Sequence, residues 1–252
     1  DFLLGRFSTF RQQTISGYRL YNNYFGLYAQ DDIRLTTKLT INLGVRWMPT
    51  LFPHDKYHQN TTFIAGRQSE AFPNAPQGLV FYGDRGINNP VVPAYWKAFT
   101  PRVGLAYQLN SKTVIRAAYG IFYDQYMMIS SNRGVQAPPW VNQINLTGSG
   151  SLSNPYGAGV PITLDGATPS KNVAFLPNSV FALPTQGMTP GYIQSWNSVV
   201  ERQITKDLVV KAAYLGSHGT HLLIAAESNP AIYQPGATLG NLNARRIYQL
   251  IG

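Results

Sequence analysis

Between Leu39 and Trp47 the chain alternates without a break: Leu39, Ile41, Leu43, Val45 and Trp47 against Thr40, Asn42, Gly44 and Arg46. Successive side chains of a strand point to opposite faces, so this stretch reads as a strand between two unlike surroundings, one apolar and one polar. A partner lies just upstream at Leu27 to Leu35, across a turn at Thr36-Thr37-Lys38. A slip of one residue would set apolar side chains of one strand beside polar ones of the other, so the pattern tests the pairing. A three-residue turn places Leu35 opposite Leu39, Ile33 opposite Ile41, Ala29 opposite Val45 and Leu27 opposite Trp47. Turn and alternation agree.

Two further hairpins follow the same plan. One turns at Asn110-Ser111-Lys112 and pairs Tyr107 with Ile115, Leu105 with Ala117, Val103 with Tyr119 and Phe99 with Tyr123. The other turns at Thr205-Lys206-Asp207, with Trp196, Val200, Ile204, Leu208, Val210, Ala212 and Tyr214 on its apolar face. Its polar face sets Glu201 opposite Lys211, a mildly attractive pair. The hairpins are expected over 24–48, 98–124 and 192–218, with all three turns at one end. Arg46, Arg102, Arg116, Glu201 and Lys211 then point inward, away from the apolar face.

The connections are of another kind. Residues 48–97 hold six prolines and residues 124–191 eight, which is fourteen of the seventeen in the chain. Proline cannot donate to a strand ladder, so only short extended pieces are expected in the long loops, 49–97 and 125–191. Connections longer than roughly 15 residues are uncommon in compact domains. They are regular in bacterial outer-membrane barrels, which combine strands of about 10 residues and short turns on one side with long loops on the other. Charged residues are 12% of the chain and no apolar run approaches the roughly 18 residues of a spanning helix, so any insertion must use strands. The expected fold is therefore all-β, an antiparallel transmembrane β-barrel of about six strands in three hairpins. The smallest single-chain barrels have about eight strands. Residues 1–252 are accordingly expected to be an internal segment of a larger barrel.

A resemblance extends this reading. Asn23-Tyr-Phe-Gly-Leu-Tyr-Ala-Gln-Asp-Asp-Ile-Arg-Leu-Thr36 with Leu39 to Trp47 resembles the barrel of TonB-dependent outer-membrane receptors, especially the Oar-like group carrying a carboxypeptidase-regulatory-like domain. Asp1-Phe-Leu-Leu-Gly5, Phe99 to Tyr107, Val114 to Asp124, Tyr192 to Asn197 and Ala213 to Leu222 extend the match across nearly all six strands, in the same order. The resemblance implies a 22-stranded wall filled by an N-terminal plug, and a TonB box coupling to the TonB complex of the inner membrane. It also implies import of a bulky ligand, an oligosaccharide, peptide or siderophore. Neither plug nor TonB box is recognisable in these residues, so no energy-coupling role is carried onto any position.

The formal net charge of +9 raises the question of nucleic acid. Here the strand cations alternate with apolar residues instead of forming an exposed stripe, so no nucleic-acid partner is expected. Membrane lipid and the phosphates of lipopolysaccharide are the expected surroundings. Asp31 is a misfit on the apolar face, placed near the turn end where a charge costs less.

Nothing points to catalysis. No Gly-x-Ser-x-Gly elbow, phosphate-binding loop or dinucleotide fingerprint is present. His54 with His58 and His218 with His221 lack a neighbouring carboxylate or thiolate set, so no metal and no cofactor is expected. The chain has no cysteine. Gly148-Ser-Gly-Ser151 reads as a flexible loop tip. Loop aromatics are the expected ligand contacts, Tyr57, Phe63, Trp96, Tyr126, Trp140 and Tyr156, although rings in a wet loop also serve to pack it. Two other readings share much of this pattern. One is a passive porin or adhesin barrel, and the other a soluble all-β carbohydrate-binding domain.

Overall fold

In a computed structural model the described residues are 2–14, 17–125, 128–157, 169–175, 179–186, 188–249 and 251. The strands formed among them are β1 (Arg6–Gln13), β2 (Leu20–Tyr21), β3 (Leu27–Arg34), β4 (Leu39–Trp47), β5 (His54–Asp55) and β6 (Thr61–Phe63). These are followed by β7 (Leu79–Phe81), β8 (Phe99–Asn110), β9 (Thr113–Tyr123), β10 (Gln143–Ser151), β11 (Tyr192–Gln203) and β12 (Val209–Thr220). One α-helix, α1, covers Met128–Val135.

Six strands make one antiparallel sheet in the spatial order β3-β4-β8-β9-β11-β12, which is also chain order. Antiparallel neighbours in chain order place the three tight turns at one end and both long connections at the other. Leu27 pairs with Trp47 and Ile33 with Ile41. Val103 pairs with Tyr119, Leu105 with Ala117 and Tyr107 with Ile115. Glu201 stands opposite Lys211, with Nζ 3.6 Å from Oε1. These are the pairs that alternation predicts.

Two details differ. Asn110 pairs with Thr113, so the second turn has two residues, Ser111 and Lys112, and the irregularity moves into a bulge at Leu109. The Asn110 side chain accepts the Lys112 amide at 2.9 Å, which tightens the turn as an Asx motif and leaves one residue for the strand to absorb. Phe99 pairs with Trp47 across the β4–β8 ladder, whereas the β8–β9 ladder begins at Arg102 with Gly120. The expected Phe99–Tyr123 pair is therefore not part of it.

The long connections leave and return between neighbouring strands, and each is closed at its neck. Met48 N–H donates to the Ala98 carbonyl at 3.1 Å, and Thr50 and Tyr95 exchange two backbone bonds of 2.9 Å. Asp124 N–H donates to Gly191 at 2.8 Å. Beyond the necks the loops are not plain coil. Short strands β2 and β5 pair, as do β6 and β7. β10, with nine residues, is longer than the short pieces expected, and it pairs with β1 from ahead of the first hairpin. Gly148, Gly150 and Ser151 belong to this strand, so they are not a free tip, and a Cβ on Gly150 would collide with the Phe7 ring. The proline-free interval between Pro139 and Pro155 is what permits a strand there.

Burial divides the molecule. Phe72, Ala75, Leu79, Phe81 and Ile251 form a core, joined by Phe63, Trp140, Val173, Phe175 and Tyr248. Both long loops and the segment after β12 contribute to it. Phe52, Val92 and Leu183 make a second, smaller cluster. Phe81 and Val80 are 0% exposed, whereas Leu43, Val210 and Tyr214 on the sheet are 45%, 51% and 63% exposed. The sheet buries almost nothing of its own apolar face, and the loops pack like a water-soluble domain.

Candidate functional site

The wall has two chemically distinct faces. Register places Arg46, Arg102, Arg116, Glu201 and Lys211 on one of them, together with Gln30, Asn42 and Asn197. Small residues at Gly44, Gly104, Ala118 and Gly120 leave a trough along that face, lined also by Arg102 and Ser195. The Arg102 guanidinium lies 4.8 Å from the Phe122 ring centroid, a cation–π contact.

The opposite face carries Leu39, Ile41, Leu43, Val45, Leu105, Ile115, Val200 and Ala212. At the loop end it finishes in rings. Trp47 stacks at 6.3 Å on both Trp96 and Phe99, its Nε1 donates to the Trp96 carbonyl at 2.8 Å, and Phe25 meets it edge-on at 5.8 Å. Tyr95, Tyr123, Tyr192 and His221 continue this rim with centroids 5.3 to 6.0 Å apart. Asp31 shares the apolar face but not the placement expected for it. It pairs with Leu43, the middle residue of β4, so it is not near the turn, and nothing in the structure explains a carboxylate there.

Of the aromatics expected to meet a ligand, several are engaged in packing. Phe63 meets Tyr248 edge-on at 5.0 Å, Trp140 meets Phe72 at 5.4 Å, and Tyr156 meets Phe10 at 5.7 Å. Trp96 belongs to the rim beside Trp47. Tyr57 is half exposed. Tyr126 lies outside the described residues. The histidines are likewise held by local contacts. His54 stacks on Tyr21 at 5.4 Å, and His58 stacks on Tyr82 at 4.3 Å with its Nδ1 2.8 Å from Asn89 Nδ2.

Two buried carboxylates fasten the loop layer. Asp55 is fully buried and accepts the amides of Arg19 and Gln59 at 2.9 and 2.8 Å. Asp84 accepts the amides of Glu70, Ala71 and Phe81 at 2.7 to 2.8 Å and the Ser69 hydroxyl at 3.1 Å. Charged acceptors of this kind make the stronger hydrogen bonds, and removing one leaves several buried donors without a partner. Asp84→Asn is expected to cost the loop layer about 1–3 kcal/mol. The check is amide hydrogen exchange at Glu70, Ala71 and Phe81, which should quicken while the wall amides keep their protection.

Sequence reasoning missed a cleft in this layer. It has a volume of about 540 Å³ and lies between the β1–β10 ribbon and the end of α1. Arg11, Gln13, Gln143 and Asn145 of the ribbon line it together with Arg133 and Gln136 at the end of α1. The signal was available, since Gln143, Asn145 and Thr147 alternate with Ile144 and Leu146 in a proline-free stretch.

An apolar sheet face left open to the surroundings, a polar face behind it, tight turns at one end and folded loops above an aromatic rim together define the wall of a membrane β-barrel. Comparison with known families agrees. The model of the outer membrane beta barrel domain matches residues 1–252, so the chain belongs to that family and resides in the outer membrane. A search of curated proteins and a search of solved structures each returned no match. No helix among the described residues is long and apolar enough to cross a membrane, and the crossing is made by strands. From Leu39 to Trp47 is eight residue steps (47 − 39), about 27 Å along the strand and roughly 20 Å along the barrel axis at a tilt of about 40°. That is close to the apolar band of about 25 Å found in such barrels.

Proposed function

We propose that this chain is a wall-and-loop segment of a TonB-dependent receptor that imports a bulky ligand, an oligosaccharide, peptide or siderophore, without catalysing a reaction. The observation that supports this reading best is the folded layer at the loop end. The two long connections and the segment after β12 share one core there, and with β1 they shape a cleft, an investment in a recognition surface that an open pore does not require. The ordered resemblance of the six strands points the same way.

In this reading the sheet is part of a larger closed wall, because a spanning sheet with open edges would leave backbone groups unpaired in hydrocarbon. Arg46, Arg102, Arg116, Glu201 and Lys211 face the lumen, where small residues at Gly44, Gly104 and Gly120 let a plug approach closely. Lipid and lipopolysaccharide surround the apolar face. The TonB complex engages through a region N-terminal to this segment, and nucleic acid has no part.

Energy coupling is what separates this function from a passive barrel, so the test addresses it directly. The intact protein, extracted from outer membranes in mild detergent, is expected to copurify with the periplasmic domain of TonB. A correctly assembled barrel that never retains that domain would exclude the receptor reading and leave a passive porin or adhesin.

A further inference from the structure

The β1–β10 ribbon has two unlike faces. Arg11 pairs with Asn145 and Gln13 with Gln143, so one face carries only guanidinium and amide groups at those rows, while Phe10, Ile144 and Leu146 turn the other way. Ile144 on that face is buried, and Phe10 meets Tyr156 edge-on at 5.7 Å. The polar face is left to line the cleft of about 540 Å³, together with Arg133 and Gln136. This volume is within the usual range for a small-ligand site, roughly 300–1,000 Å³.

Its electrostatics are one-sided. Two arginines line the cleft, and no carboxylate is among its described lining residues. Arg11 Nη2 donates to Gln143 Oε1 at 2.5 Å, whereas the Arg133 side chain makes no hydrogen bond or ion pair among the described residues. Arg133 also lines the adjoining cleft, where Glu227 is the carboxylate among the described lining residues, and Glu227 is engaged by Arg246 at 3.8 Å. Two like charges facing one space repel, and an anion between them offsets that cost. A guanidinium presents a planar fork of N–H donors that fits the paired oxygens of a carboxylate or phosphate. Each amide offers both a donor and an acceptor, the combination that hydroxyl groups need.

From this arrangement we infer that the cleft between β1–β10 and α1 binds an acidic, hydroxyl-rich glycan, with Arg11 and Arg133 holding its anionic group and Gln13, Gln136, Gln143 and Asn145 its hydroxyls. The inference rests on the reading of the loop layer as a ligand-binding face. Two sources share this chemistry, a free acidic oligosaccharide as cargo and the phosphorylated core of lipopolysaccharide held beside the loops.

Isothermal titration of the intact protein in detergent micelles tests it with three probes: tetragalacturonate, its methyl ester, and rough lipopolysaccharide in mixed micelles. Arg133→Gln is the principal variant, because Arg133 is exposed and its replacement breaks no contact; Arg11→Gln is the second. Tetragalacturonate should bind and its neutral methyl ester should not, with affinity falling roughly tenfold or more in Arg133→Gln, the loss expected for one charge-assisted bond. Binding of rough lipopolysaccharide alone, with the same loss in the variant, supports the site and assigns it to the membrane source. Equal binding of the acid and its ester, binding of no probe, or an unchanged affinity in Arg133→Gln overturns the inference. Retention of the TonB domain is scored on the same preparations. Lost glycan binding with TonB retained removes this site and leaves the receptor reading, and the opposite result does the reverse.

Discussion

Leu43→Arg is expected to destabilise the assembled barrel by about 2–4 kcal/mol, the cost of a cation on the lipid face near the midplane. Leu43 is the central residue of β4 and stands between Asp31 and Val103 on the apolar face. The matching control is Gln30→Arg, one row away on the polar face, beside the trough that Arg102 also lines. That change should stay within about 0.5 kcal/mol, as surface substitutions commonly do. Equilibrium urea titration of refolding into bilayers measures both. Equal effects at the two positions would mean that the two faces of the sheet meet the same medium, which contradicts the assignment of lipid and lumen.

Phe81→Ala should unfold much of the loop layer and leave the wall standing. Phe81 is completely buried between Phe72, at 5.0 Å, and Phe175, at 6.0 Å, and so links the first long loop to the second. Truncating a buried phenylalanine typically costs about 3–5 kcal/mol, through lost transfer energy and the cavity left behind. The wall does not share this core, and its ladders are closed by backbone bonds that the substitution leaves untouched. Trypsin should therefore cut faster at Arg67 and Arg85, while heat-modifiable migration, the sign of an assembled barrel, is unchanged. Loss of that migration would show that the loop layer is needed to close the barrel.

The same contrast explains a deletion that looks harmless in the sequence. Removing residues 148–155 takes Gly148, Gly150 and Ser151 out of β10, together with their pairing to Phe7 and Arg6. It therefore dismantles one end of the ribbon that lines the cleft, and is not the trimming of a loop tip.

How much could be read in advance depended on the range of the forces involved. The wall was legible because its code is local: period two, turns of two or three residues, and opposite charges at Glu201 and Lys211 all act within one hairpin. Lipid on one side and polar surroundings on the other keep that alternation sharp along each strand. The loop layer obeys no such period. β1 and β10 pair across more than a hundred residues, and Ile251 packs against Phe72 from the far end of the chain. Whether Trp140 or Phe63 greets a ligand or seals a core is settled by those distant partners, which leave no trace in the neighbouring residues. α1 carries Ser, Asn and Gly in its eight residues and is likewise held by its surroundings more than by propensity. The amino-acid sequence by itself determined the strands, their register and which side chains share a face, since each of these is a contest between adjacent side chains and solvent. Only the tertiary structure decided that the connections form a packed domain and that Arg11 and Arg133 share one cleft, because long-range burial in water depends on where the whole chain returns.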